Sequence, residues 1–226
     1  MINYGSHKVT FDLTKYIHNV QNIENNINSK WKGRSGSQNI FCKVDDEESK
    51  FLSGYFNKQL NENYDWYFEY FHSAEPAALH TDYDAVPWDE NSDCHVIVGV
   101  IIPLEWKCLQ PYTVNYNMVS NIPRKMKYSK GEMRYQDTGE IFHYRTEGSL
   151  DDEVAKYNPK GTEYWKIYQD LKVHSVYKWQ VGTFMLFDTK RWHSSNWFLS
   201  KDDLTNESQE YKRSIIGFGS IDVQRN

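Results

Sequence analysis

The 226-residue chain reads as a mainly β fold with flanking helices, a jelly-roll or barrel core behind a helical buttress. Three observations predict this. Short runs of β-branched and aromatic residues, separated by turn signals, recur from residue 65 onward. Helical spacing of apolar residues is concentrated in the first sixty or so positions. Aromatic residues make up 16% of the chain, which suits pleated faces that accept large side chains.

Taken in order, Phe11, Leu13, Ile17, Val20 and Ile23 recur at near-helical spacing across 11–30. The stretch 46–62 opens with acids and sets Phe51, Leu52, Tyr55, Phe56 and Leu60 on one helical face. Strands are predicted over 65–73 and, after Pro76, over 78–86. The run HVIVGVIIPL at 95–104 is β-branched and apolar throughout, as a strand buried on both faces would be. A strand follows at 112–120, and a hairpin over 131–147 turns at Asp137-Thr138-Gly139. Helix is expected near 164–171. Strands return at 182–188, 191–198 and 212–222, with a polar loop over 199–210. The expected organisation is one domain over 1–226, with 1–64 a helical N-terminal flank and 65–222 the core. The stretch 120–180 is read as an insert over the substrate.

Bulk properties exclude several classes. A net charge of −5 and a pI near 5.9 are unlike the basic face of a general nucleic-acid binder. No apolar run is long enough to span a membrane. The opening MINYGSHKVTFDLTKY lacks the build of a secretory signal, and Cys42, Cys94 and Cys108 form no CxxC pair. A cytoplasmic location is expected. Oligomeric state is not encoded in any pattern of the sequence.

The chemistry-bearing residues begin with His80-Thr81-Asp82. On a strand, i and i+2 share a face, so an imidazole and a carboxylate can reach one ion together. The motif alone is weak, since this composition yields H-x-D by chance roughly 0.6 times. His193 follows a Gly182-led apolar strand that ends in Asp188. With His80 and Asp82 it would complete a two-histidine, one-carboxylate facial triad, which suits iron(II) and leaves coordination positions open. Arg213 offers a guanidinium fork for a carboxylate. Its neighbour Lys212 must face the opposite side of the strand, so only one of the two can point inward. Alternation leaves that choice open, and fork geometry favours Arg213. His72 and His95 read as packed rather than ligating, and Phe184, Phe187, Trp192 and Trp197 as a dry wall near the site.

In order, ALHTDYD, VIVGVIIPL, GTFMLFDTKRWHSS and KRSIIGFGSI resemble the 2-oxoglutarate/iron(II) dioxygenase superfamily, in its prolyl-hydroxylase-like and phytanoyl-hydroxylase-like branch. The resemblance covers roughly 65–222. It implies a double-stranded β-helix (a cupin-like jelly roll) with His80, Asp82 and His193 as iron ligands and Arg213 as the 2-oxoglutarate anchor. Tyr112 and Asn115 lie on a strand that, in that family, often touches the cosubstrate. The implied cofactors are Fe(II) and 2-oxoglutarate, with ascorbate as reductant. The implied reaction is hydroxylation of a small-molecule or peptidyl substrate. Competing readings are a non-catalytic jelly-roll binding module and a metal-dependent hydrolase or isomerase on the same barrel.

Overall fold

An N-terminal strand, β1 (Gly5–Lys8), leads into α1 (Thr14–Asn25), β2 (Asn39–Lys43) and α2 (Asp46–Leu60). The core strands are β3 (Asp65–Ser73), β4 (Cys94–Lys107), β5 (Tyr112–Val119), β8 (Val173–Lys178), β9 (Thr183–Asp188), β10 (Arg191–Ser195) and β11 (Tyr211–Asp222). Between β5 and β8 lie a hairpin, β6 (Met126–Ser129) and β7 (Glu132–Tyr135), and a short helix, α3 (Asp152–Tyr157). This computed structural model describes residues 2–25, 39–74, 76–77, 80–82, 94–119, 126–129, 132–135, 152–157, 171–196, 198 and 210–222.

Helix α2 starts where the sequence signals it. The Asp45 side chain accepts from Glu48 N at 2.8 Å, and acids fill the first turn, where the helix dipole favours them. It ends at Asn61, which takes the left-handed conformation (φ 52°) and donates its N–H to Asn57 O.

The strands form a six-stranded antiparallel sheet in the order β1-β9-β4-β11-β3-β2 and a three-stranded sheet in the order β10-β5-β8. Alternation along β11 divides the larger sheet into two faces. Ile215 belongs with Phe68, Val98, Val100, Ile102, Phe184 and Leu186 in a core that α1 and α2 cover through Val20, Leu52 and Phe56. Burying each such side chain contributes roughly 1.5–3 kcal/mol. Gly217 lets the Phe68 ring cross β11, because a Cβ there would collide with that ring and with Val100. Glu48 ties the helices to the sheet. Its carboxylate accepts from Asn19 Nδ2 (2.7 Å) and Tyr70 OH (2.9 Å) and pairs with Lys15 (3.0 Å).

The other face of this sheet looks toward the smaller sheet. Trp192, Val114 and Tyr116 turn away from it, into a cluster with Val154 of α3 and Leu171. Asn115, His193, Thr113 and Ser195 share the inward face, because Asn115 pairs with His193 and Thr113 with Ser195 across β5 and β10. The architecture is therefore mostly antiparallel β with a jelly-roll core, as the sequence predicts.

Local expectations change at the N-terminal flank and in the stretch read as an insert. The 1–64 flank is not only helical: β1 and β2 add the two outermost strands of the larger sheet. Both are short, four and five residues, and they become strands by pairing with β9 and β3. The strand at 132–135 pairs with β6, which the sequence does not predict. β8, inside the supposed insert, is a strand of the smaller sheet. The forward half of the expected hairpin and residues 164–170 lie outside the described residues, as do 78–79 and 83–86 of the expected strand around His80.

Candidate metal centre

The segment carrying His80 is held by the backbone of β10. His80 N donates to His193 O and His193 N to His80 O, each at 2.9 Å, forming a single antiparallel bridge. Ser195 N donates to Ala77 O at 3.2 Å, and Ala77 N donates to Ser195 Oγ at 2.6 Å. Two residues further on, Asp82 N donates to Thr189 O at 3.1 Å, in the turn between β9 and β10. That turn is anchored in turn by buried Thr189, whose hydroxyl donates to Val96 O at 2.8 Å. The backbone thus places H-x-D directly beside the distal histidine.

The side chains converge accordingly. His193 Nε2 is 3.1 Å from Asp82 Oδ2, and His80 Nε2 is 3.6 Å from Asp82 Oδ1. The two imidazole rings are 4.3 Å apart between centroids. One ligand atom from each of His80, Asp82 and His193 lies within 4.8 Å of the others, a spacing one ion can bridge. His193 Nδ1 is 3.1 Å from Arg191 O, so its ring proton is held by that carbonyl and Nε2 is left to face the cluster. The Phe187 ring packs 4.9 Å from that of His193.

Electrostatics follow from the geometry. Burial opposes ionisation of Asp82, but the His193 and His80 imidazoles outweigh it and hold the carboxyl below its ordinary range. Burial likewise opposes charge on His193, and the Asp82 carboxylate overrides it, raising the imidazole. The three residues form a negative-to-neutral donor set of two imidazoles and one carboxylate, which suits a divalent transition metal with open positions.

The two adjacent cations on β11 part company. Arg213 turns to the helix-covered face, where its guanidinium pairs with Glu105, donates from Nε to His72 Nδ1 (3.2 Å) and stacks 4.1 Å over Tyr211. Gln21 of α1 donates to the same Glu105 at 2.7 Å. Lys212 turns inward. Its ammonium lies 4.6 Å from the Trp179 ring centroid and 4.9 Å from that of Phe198. Trp179 donates its indole N–H to Thr113 Oγ1 (3.0 Å) on the inward face of β5. The expectation of Arg213 as the inward cation is therefore corrected to Lys212. The reason is register: both faces of β11 are buried, and Arg213 is opposite Glu105 and His72.

Other expected residues divide in the same way. Asn115 faces inward beside His193, whereas Tyr112 packs against Tyr157 of α3 on the outer face (5.8 Å between centroids). Of the expected dry wall, Phe187 reaches the site, Phe184 joins the helix-covered core and Trp192 the α3 cluster, while Trp197 lies outside the described residues. His72 is packed as expected, stacked on Tyr211 at 5.3 Å. The sequence sets Ser214 on the face of Lys212 without marking it as a site residue, and it gives no sign of Trp179 or Phe198. Ser214 was legible as the residue two places from Lys212, on the same face; the two rings are far from it in sequence and carry no such signal.

Two buried polar atoms among the described residues have no hydrogen-bond partner, Asn115 Oδ1 and Ser214 Oγ. Both belong to the inward faces, Asn115 beside His193 and Ser214 beside Lys212. Orphans of this kind are uncommon in native interiors and mark a place where a ligand or water completes the bonding.

No family model matches the sequence, and no curated protein matches it. Solved structures do. The non-haem α-ketoglutarate-dependent epimerase SnoN from nogalamycin biosynthesis aligns with a TM-score of 0.52 and 13% identity, over 97% of this chain and 79% of that one. The same epimerase in complex with Fe3+, α-ketoglutarate and nogalamycin RO gives 0.50 and 11%, with the same coverage. A prolyl-4-hydroxylase from Pseudomonas putida gives 0.48 and 8%, over 96% and 92%. The chain shares its fold with the α-ketoglutarate-dependent non-haem epimerase, and within that fold it carries a His-Asp-His cluster. Among the described residues, no helix is long and apolar enough to cross a membrane.

Proposed function

We propose that this chain is a 2-oxoglutarate- and Fe(II)-dependent oxygenase that hydroxylates, or otherwise oxidises a C–H bond of, a small-molecule or peptidyl substrate. The observation that carries the reading is the His80–Asp82–His193 cluster lying between two sheets, with a buried lysine and an unpartnered hydroxyl on the facing strand. Both groups the reading needs fit the residues present. Two imidazoles and a carboxylate form a facial set for iron(II). A dicarboxylate needs a cation and a hydrogen-bond donor at its far end, and Lys212 and Ser214 stand together on one face of β11.

Dioxygen is the oxidant of the reaction; iron(II), when bound, would activate it, and the keto acid would supply two electrons through its oxidative decarboxylation to succinate. The protein's own residues do the rest. His80, Asp82 and His193 hold the metal, and Arg191 O fixes the tautomer of His193. Lys212 pairs with the distal carboxylate, and the Ser214 hydroxyl donates a second bond to it. Asn115, paired with Ser175 Oγ at 3.2 Å, offers its remaining polar atom beside the metal. Phe187 keeps water from one side of His193. Ascorbate would serve as reductant.

Anaerobic addition of Fe(II) and then 2-oxoglutarate tests the reading. A weak visible charge-transfer band that needs both components is expected, together with succinate formation once oxygen is admitted. A protein that binds metal through Asp82 but gives no band and no succinate would instead be a hydrolase or isomerase. One in which Asp82→Ala leaves metal content unchanged would be a binding module.

A further inference from the structure

Lys212 is a buried amine with no buried carboxylate beside it among the described residues. It is 3% exposed, and among the described residues no carboxylate lies within ion-pair reach of its ammonium. Its surroundings cannot swing aside easily. Phe198 is fully buried, and Trp179 is 2% exposed and held by its bond to Thr113.

The groups that face it come from several elements. Its register partners, Ser73 on β3 and Trp106 on β4, do not titrate. On its own strand Ser214 is uncharged and Arg213 lies on the other face. Tyr177 of β8 shares the inward face of the smaller sheet. Two titratable groups act on it through space. Cys108, just after β4, would favour the ammonium only as a thiolate, and burial pushes that thiol up to about 12. Lys212 for its part opposes protonation of His193 on β10. The two aromatic faces attract a cation, but by less than the desolvation of a fully buried ammonium costs. Burial therefore prevails and lowers Lys212 to about 7.

We propose that the distal carboxylate of the cosubstrate is bound together with a proton, which Lys212, enclosed by Trp179 and Phe198 with no carboxylate beside it among the described residues, takes up as the dicarboxylate enters. The proton comes from solvent and adds to the lysine nitrogen lone pair, giving Lys212–NH3+ against the carboxylate; no other bond is made or broken. This inference rests on the oxygenase reading above. It has two consequences. The empty site carries no unpaired buried charge. Affinity for the keto acid falls up to tenfold per pH unit once the free lysine is neutral, by ordinary linkage.

The test has two arms. In the metal-free protein with ¹³C-labelled lysine, the ε-carbon resonance absent from Lys212→Arg should titrate about two or more pH units below the other lysines. In the Zn(II)-loaded protein, calorimetry of 2-oxoglutarate binding in buffers of different ionisation enthalpy should show uptake of nearly one proton at about pH 8.5 and little at about pH 6, with none at either pH in Lys212→Arg, whose guanidinium stays charged. A Lys212 resonance that titrates with the rest overturns the inference whatever the protein does. Early titration with keto-acid binding but no proton uptake overturns the coupling and leaves the oxygenase reading standing. Early titration with no keto-acid binding in any buffer overturns both.

Discussion

Lys212 and Arg213 are consecutive on β11 and serve opposite layers of the protein. The ammonium sits between Trp179 and Phe198 on the side of His193, and the guanidinium is locked to Glu105 and His72 beneath α1. The two substitutions should therefore have separable effects. Lys212→Met is expected to weaken 2-oxoglutarate binding roughly ten- to hundredfold, the worth of one charge-assisted bond. Arg213→Met is expected to leave that binding within about twofold and to lower unfolding stability by about 1–3 kcal/mol, because Glu105 and His72 lose the guanidinium between them. Titration calorimetry and urea denaturation measure the two. The opposite pattern would return the anchor to Arg213.

Removing one member of the cluster should abolish specific metal binding rather than merely weaken it. Asp82→Ala and His193→Ala should each retain less than about a tenth of the Fe(II) held by the unaltered protein after anaerobic loading and desalting, since each removes one of only three protein ligands. Metal analysis gives the ratio. Circular dichroism confirms that the fold persists.

Gly99 pairs with Phe187 across β4 and β9, and a Cβ at Gly99 would collide with the Phe187 ring. That ring also packs on His193. Gly99→Ala should thus act twice, costing about 1–3 kcal/mol of stability through overpacking and lowering metal affinity by displacing the ring against the ligand. A variant that loses stability alone would show that Phe187 has room to yield without moving His193.

Alkaline pH should destabilise the protein in a defined window. Burial, reinforced by the carboxylates of Glu48 and Asp45, raises Tyr16 from 10.0 to about 12. Tyr70 is also raised, by burial first and by Glu48. Between about pH 10 and 12 the unfolded chain has lost these phenolic protons and the folded chain keeps them, so stability is fully present below that window and falls as pH rises through it, by about 1.4 kcal/mol per unit for each such tyrosine. Tyr70→Phe should give a shallower fall in urea-denaturation stability over the same range.

Much of this was legible in the sequence, for physical reasons that differ by element. The β4 run is apolar on both faces because both faces are buried, and α2 announces itself through Asp45 and its acidic first turn. His80, Asp82 and His193 were readable because i, i+2 alternation and a strand-end histidine are local patterns. Alternation failed at Lys212 and Arg213 because each layer of β11 buries one cation, so neither residue carries a mark of which side is the site. Phe184 and Trp192 were misplaced for the same reason: aromatic residues fill three separate layers, and sequence proximity to His193 does not choose among them. β1, β2 and β8 were invisible because their strand state comes from their partners.

The strands that complete the larger sheet have a consequence for how the chain tolerates trimming. Both of its margins are supplied by the first forty-three residues, β1 against β9 and β2 against β3. Cutting them away would bare two rows of unsatisfied amide and carbonyl groups, each able to recruit a strand from another molecule. The leading segment thus acts as a selvedge for the fabric of the sheet, guarding a His-Asp-His cluster to which none of its described residues adds a member.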